Sequence, residues 1–100
     1  MNKSVQEYLQ RLNSRRFTSN LQRTLFRLLT AKGDGWVTLR SLRVSSAASR
    51  VRDLRTQEYG SFRIECRTAR ELGRDGDHRA FLYRVVPSSV TVQRLREIFE

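Results

Sequence analysis

The pattern of the chain predicts an α+β domain in which helices fill the first half and a β-hairpin follows. Three observations predict it. Apolar residues return at helical spacing over 5–12, 21–29 and 47–54. Two later segments, 61–68 and 80–86, alternate in the way of half-buried strands. Turn signals, Gly33-Asp34-Gly35 and the glycine-containing stretch 69–79, separate these blocks. One hundred residues hold a single modest core, so residues 1–100 are expected to be one domain. Within it, 1–14 and 88–100 form an extra amphipathic helix at each terminus, around a central unit at 19–87.

The elements follow in order. Val5, Tyr8, Leu9 and Leu12 make one helical stripe, with Ser4 as a candidate cap and Glu7 three residues on. The linker Ser14-Arg15-Arg16-Phe17-Thr18 breaks that pattern. Leu21, Leu25, Leu28 and Leu29, with Phe26 beside them, then predict a helix over Ser19 to Lys32, where Lys32 would complement the C-terminal dipole. Trp36-Val37-Thr38 predicts one extended rung, after which Thr38 caps a brief second helix carrying Leu39 and Leu42. Val44-Ser45-Ser46 precedes a third helix over Ala47 to Gln57, with Ala47, Val51 and Leu54 inward and Ser45, Ser49, Arg52 and Thr56 outward. Asp53 is expected to pair with a neighbouring base such as Arg50 or Arg52.

Tyr59-Gly60 closes the helical block. The first strand, Ser61 to Thr68, sets Phe62, Ile64 and Cys66 against Arg63, Glu65 and Arg67. The second, Ala80 to Val86, alternates Phe81, Tyr83 and Val85 with Leu82, Arg84 and Val86 until Pro87 ends it. Phe62, Phe81 and Tyr83 are read as core, Cys66 as a buried strand residue, and Trp36 as the lid of a small core. The charged stretch Ala69 to Arg79 suits an exposed hairpin loop. Val92, Leu95, Ile98 and Phe99 make the last stripe, with Ser89 as a candidate cap. Neither terminal helix is required by the central unit.

Composition narrows function. Twenty basic against ten acidic side chains leave a formal charge of +10, which points to a polyanionic partner. Eighteen of the bases are arginine; because Arg codons rise with genomic GC content, the charge carries more weight than the choice of Arg over Lys. Residues 1–50 hold ten bases and two acids, residues 51–100 ten and eight. Arg11, Arg15, Arg16, Arg23, Arg27, Arg40 and Arg43 supply much of the excess in the first half. No apolar run approaches the roughly 18 residues of a membrane span, and the opening residues lead into a polar helix, so no membrane association and a cytoplasmic location are expected. One cysteine and one histidine offer neither a disulfide framework nor a four-ligand zinc site. No metal and no cofactor are implied. No nucleophile, base and oxyanion donors assemble, no glycine-rich phosphate loop is present, and Asp75 with Asp77 lacks a calcium-loop pattern, so the chain is expected not to be an enzyme.

The order helix, short strand, short helix, helix, strand, basic loop, strand over residues 19–87 is carried by Leu21-Gln22-Arg23-Thr24-Leu25-Phe26-Arg27-Leu28-Leu29 and Gly35-Trp36-Val37-Thr38. It continues through Ser49-Arg50-Val51-Arg52-Asp53-Leu54-Arg55 into Phe62-Arg63-Ile64-Glu65. In this order the chain resembles the winged helix-turn-helix family, especially small modules of phages and prophages, over about seventy residues. The resemblance implies a three-helix core with a β-hairpin wing, a recognition helix in the major groove, and the wing against backbone or minor groove. The chain departs from the family in its second helix, six or seven residues from Thr38, and in a turn before the third helix that lacks the frequent glycine.

The candidate site residues follow from that placement. Ser45, Ser46, Ser49, Arg50 and Arg52 would meet double-stranded DNA, since small hydroxyls permit close approach and arginine pairs with guanine edges or phosphates. Arg40 and Arg43 on the second helix would grip backbone. Arg67, Arg70, Arg74, His78 and Arg79 collect positive charge on the wing, opposed by Glu71, Asp75 and Asp77. The function expected is non-enzymatic binding of duplex DNA by a small transcriptional or accessory regulator of phage or mobile-element type. The alternative is a protein interaction module, with the terminal stripes mediating homodimerisation or docking. RNA is disfavoured, because the strands carry no aromatic stacking platform.

Overall fold

Buried side chains of all four α-helices and both strands share one hydrophobic cluster in the computed structural model, which describes residues 2–56, 62–74 and 79–100. Expectations for Gln57, Tyr59, Gly60 and Ser61, and for Asp75, Asp77 and His78, lie outside the described residues. The architecture is α+β: helices α1 (Lys3–Arg11), α2 (Asn20–Leu29), α3 (Ala47–Leu54) and α4 (Val92–Phe99), and an antiparallel pair β1 (Ile64–Thr68) and β2 (Phe81–Val85). No helix among the described residues is long and apolar enough to cross a membrane.

Caps fix where the helices start. The Val5 N–H donates to Asn2 Oδ1 at 2.8 Å, so Asn2 rather than Ser4 begins α1, which stops at Arg11. Ser19 caps α2 by accepting from the Gln22 N–H at 3.2 Å. That helix ends at Leu29, short of Lys32, and Arg27 takes the dipole-complementing place in its last turn. Thr91 caps α4 by accepting from the Arg94 N–H; the expected cap, Ser89, belongs to a preceding 3₁₀ turn. There Ser89 is buried, accepting from the Arg63 N–H and donating to the Val86 carbonyl.

The second helix is reduced to one 3₁₀ turn, Arg40–Leu42, in which the Thr38 hydroxyl accepts from the Ser41 N–H at 3.2 Å. Its buried residue is Leu42, and the Arg27 guanidinium donates to the Leu42 carbonyl, fastening α2 to this turn. The expected extended rung is present: Val37 exchanges both backbone hydrogen bonds with Tyr83, at 2.9 and 2.7 Å. Strand β2 therefore lies between Val37 and β1, with Cys66 opposite Tyr83 and Ile64 opposite Val85.

The terminal helices are integral. Val5 and Leu95 are fully buried and Leu9 nearly so, and Tyr8, Leu12, Ile98 and Phe99 pack against the same cluster. Phe17, in the linker, meets both Phe26 and Phe99 with ring centroids 5.2 Å apart. The Tyr8 hydroxyl donates to Glu100, and burial together with that carboxylate pushes its pKa up to about 12. Each fully buried Val or Leu contributes about 1.5–3 kcal/mol by leaving water, so these stripes stabilise the central unit. The reason is geometric: α1 and α4 cover core surface that α2, α3 and a two-stranded sheet leave open.

Two aromatic expectations are corrected. Phe81 is exposed, because it stands at the end of β2 beyond the cover of the helices. Trp36 is half-buried and does not belong to the hydrophobic cluster; the Arg84 guanidinium lies over its ring, 5.0 Å from the centroid. Glu65 accepts from Arg84 at 2.6 Å, and this contact, ahead of the Coulombic attraction, lowers the Glu65 pKa. Cys66 is half-buried rather than buried.

Candidate nucleic-acid interface

Helix α3 turns Ala47, Val51 and Leu54 onto the core, which leaves Ala48, Arg52 and Arg55 on its exposed side and Ser49 half-exposed beside them. Ahead of it, Arg43 and Ser46 both take left-handed backbone, at φ 53° and 56°. These two residues do the bending that glycine usually does in such turns, at a steric cost for each Cβ. Ser46 occupies the N-cap position, yet its side chain makes no capping hydrogen bond to the first-turn N–H groups of α3. An N-terminus of this kind is suited to receive a phosphate oxygen.

Seven expected site residues are thus brought together on one continuous turn and helix. Arg40, Arg43, Ser45, Ser46 and Arg52 are exposed; Ser49 and Arg50 are half-buried. Arg52 donates to the Ser49 hydroxyl at 3.4 Å, at the long end of hydrogen-bond distances. Arg50 pairs with Asp53 at 3.1 Å, as the sequence predicts, which neutralises part of its charge on that face.

The hairpin residues form a second group. Arg67 and Arg70 are exposed on β1 and the turn after it, and Arg79 is exposed at the return. Arg67 lies 3.6 Å from Glu65. Residues 69–74 form hydrogen-bonded turns: Leu72 donates to Thr68, Gly73 to Arg70, and Arg74 to Ala69, and Ala69 is buried. Glu71 accepts from both the N–H and the hydroxyl of Thr68, and those bonds lower its pKa. Arg74 donates to both oxygens of Asp34, at 2.8 and 2.6 Å, so its guanidinium serves the fold before it serves any ligand.

Several arginines that swell the net charge are structural. Arg23 holds Asn20 and the Phe17 carbonyl, Arg27 the Leu42 carbonyl, and Arg55 the Ile64 carbonyl through two nitrogens. The exposed side of the turn and α3 therefore draws on Arg40, Arg43 and Arg52. No group of three or more His, Cys, Asp or Glu side chains among the described residues is arranged to hold a metal. Among the described residues, one exposed aromatic side chain lies outside the expected set: Phe81, whose apolar character argues for core in the sequence. Its place as the first residue of β2, next to the charged loop, is the signal that it would leave the core.

Comparison of the chain with protein-family models, with curated proteins and with solved structures returns no match.

Proposed function

We propose that this chain is a cytoplasmic, non-catalytic module that binds double-stranded DNA through α3, as a small regulator of phage or mobile-element type. One observation carries the reading. The exposed side of the turn and helix from Arg40 to Arg52 is built of arginine, serine and alanine, while the opposite side of α3 is held in the core. Small side chains admit close approach to base edges, and the arginines reach guanine or phosphate. The element order helix, rung, 3₁₀ turn, helix, hairpin is compatible with a winged helix whose second helix has shrunk to one turn. In that arrangement the hairpin lies against the backbone or minor groove. The apolar stripes that a homodimer or docking module would use are packed within the chain, which favours DNA over a protein partner.

The test is binding of a labelled duplex by the full chain and by the double variant Arg43→Ala, Arg52→Ala. Weaker affinity with a shallower salt dependence supports the reading, since fewer neutralised phosphates release fewer counterions. Equal affinity and equal slope for the two proteins would remove this face from the interface.

A further inference from the structure

We propose that the recess between the linker and α2 is a seat for a backbone phosphate of duplex DNA, which carries the contact beyond α3; the inference rests on the duplex-binding function proposed above. Ser14, Phe17, Arg23, Phe26 and Arg27 line this recess of about 130 Å³. Arg23 and Arg27 are four residues apart on α2 and so share one side of the helix. Both guanidinium groups are held, but by neutral acceptors. Arg23 donates to Asn20 Oδ1 and to the Phe17 carbonyl, each at 3.1 Å, and Arg27 donates to the Leu42 carbonyl through Nη1. Neither belongs to an ion pair among the described residues, so two full positive charges stand at one small recess. Like charges at this spacing repel, and an anion between them removes that cost. Phe17 and Phe26, packed edge to face, supply an apolar wall that leaves the charges less screened than in open water.

The place of the recess selects the anion. Arg27 is fastened to Leu42, in the 3₁₀ turn that starts at Arg40 and is capped by Arg43, so the recess adjoins the face proposed for DNA. On its other side Arg15 and Arg16 follow Ser14 in a 3₁₀ turn, exposed and outside any ion pair among the described residues. From residue 8 to residue 52 the sequence holds ten bases and one acid, Asp34, which Arg74 engages. A duplex carries one charge about every 1.7 Å along its axis, and a track of bases with so little opposing charge suits a continuous phosphate backbone.

The experiment titrates a labelled duplex with the full chain at about 50 and 200 mM salt. Ser14→Glu sets a carboxylate at the recess, Arg27→Gln removes a charge while keeping a donor for the Leu42 carbonyl, and Gln6→Glu makes an acidic change on exposed α1 outside the recess. Ser14→Glu and Arg27→Gln are each expected to bind about tenfold more weakly at the lower salt, with a salt slope shallower by about 0.9, the loss of one phosphate. Gln6→Glu should stay near wild type in both. Thermal unfolding of each variant at the wild-type midpoint confirms that the fold is intact. If Ser14→Glu and Arg27→Gln match wild type while the Arg43→Ala, Arg52→Ala double variant binds weakly, the seat is overturned and binding through α3 stands. If Gln6→Glu loses as much as Ser14→Glu, the effect is one of overall charge and the seat is overturned as well. If wild type binds no duplex at the lower salt, the seat and the duplex-binding function fall together.

Discussion

Arg74 Nη2 lies 2.6 Å from Asp34 Oδ2, joining the turn after β1 to the turn after α2, forty residues away in sequence. Close by, Arg84 makes a second joint, stacking on Trp36 and leaving ordinary van der Waals distance, 3.4 Å, between its stem and a Cβ built on Gly35. Gly35 has φ +84°, so its backbone favours glycine there. The hairpin is thereby oriented on the helical layer by two arginines, of which Arg74 is also an expected DNA contact.

Asp34→Asn is expected to loosen this joint. The Trp36 N–H, more than Arg74, keeps the Asp34 carboxyl below its ordinary pKa. A lowered pKa contributes stability that is present above the ordinary carboxylate range and is lost as pH falls through the folded value. The wild-type melting temperature should therefore fall with acidification below that range more than that of Asp34→Asn. Parallel acid profiles would contradict the joint.

Arg50 and Asp53 make opposite predictions. Arg50→Ala should weaken binding to a preferred duplex site by about 1–3 kcal/mol and relax base choice. Asp53→Ala frees Arg50 and removes a negative charge from α3, so it should tighten binding to all duplexes. Both are read by anisotropy against several sequences. An unchanged affinity for both variants would take this side of α3 out of contact.

Leu95→Ala should destabilise the chain by about 2–5 kcal/mol, since Leu95 is fully buried in the common core. Urea unfolding measures it. A cost no greater than that of an exposed substitution would mean that α4 is an appendage.

Thr24→Val should stabilise the chain by about 1 kcal/mol. The Thr24 hydroxyl is buried without a hydrogen-bond partner among the described residues, and valine keeps the side-chain shape while removing the orphaned group. Thermal unfolding is the measurement, and a lowered midpoint would show that the hydroxyl is satisfied in solution.

The helices and strands were legible because their signals are local. Leu25 and Leu28 set the buried side of α2, and Ala47, Val51 and Leu54 that of α3, by spacing alone. What failed depends on distant parts of the chain. Phe81 alternates like Val85, but only the tertiary layer decides how far along β2 the core extends. Val5 and Leu95 read as free stripes because nothing in sequence says that one terminal helix packs near the other. Asn2 and Thr91 displaced Ser4 and Ser89 as caps, a shift of two residues that competing side chains settle in three dimensions. The candidate face from Arg40 to Arg52 was legible as a pattern. The division of arginines between structural bonds and open surface was not, because Arg27, Arg55, Arg74 and Arg84 find their partners through the fold.

Fluorescence anisotropy of a labelled random-sequence duplex, titrated with the full chain at about 50 and 200 mM salt, tests the central claim most directly. DNA binding through Arg40, Arg43 and Arg52 predicts micromolar affinity at the lower salt that falls by orders of magnitude at the higher. No binding at about 50 mM salt, or binding indifferent to salt, would contradict it.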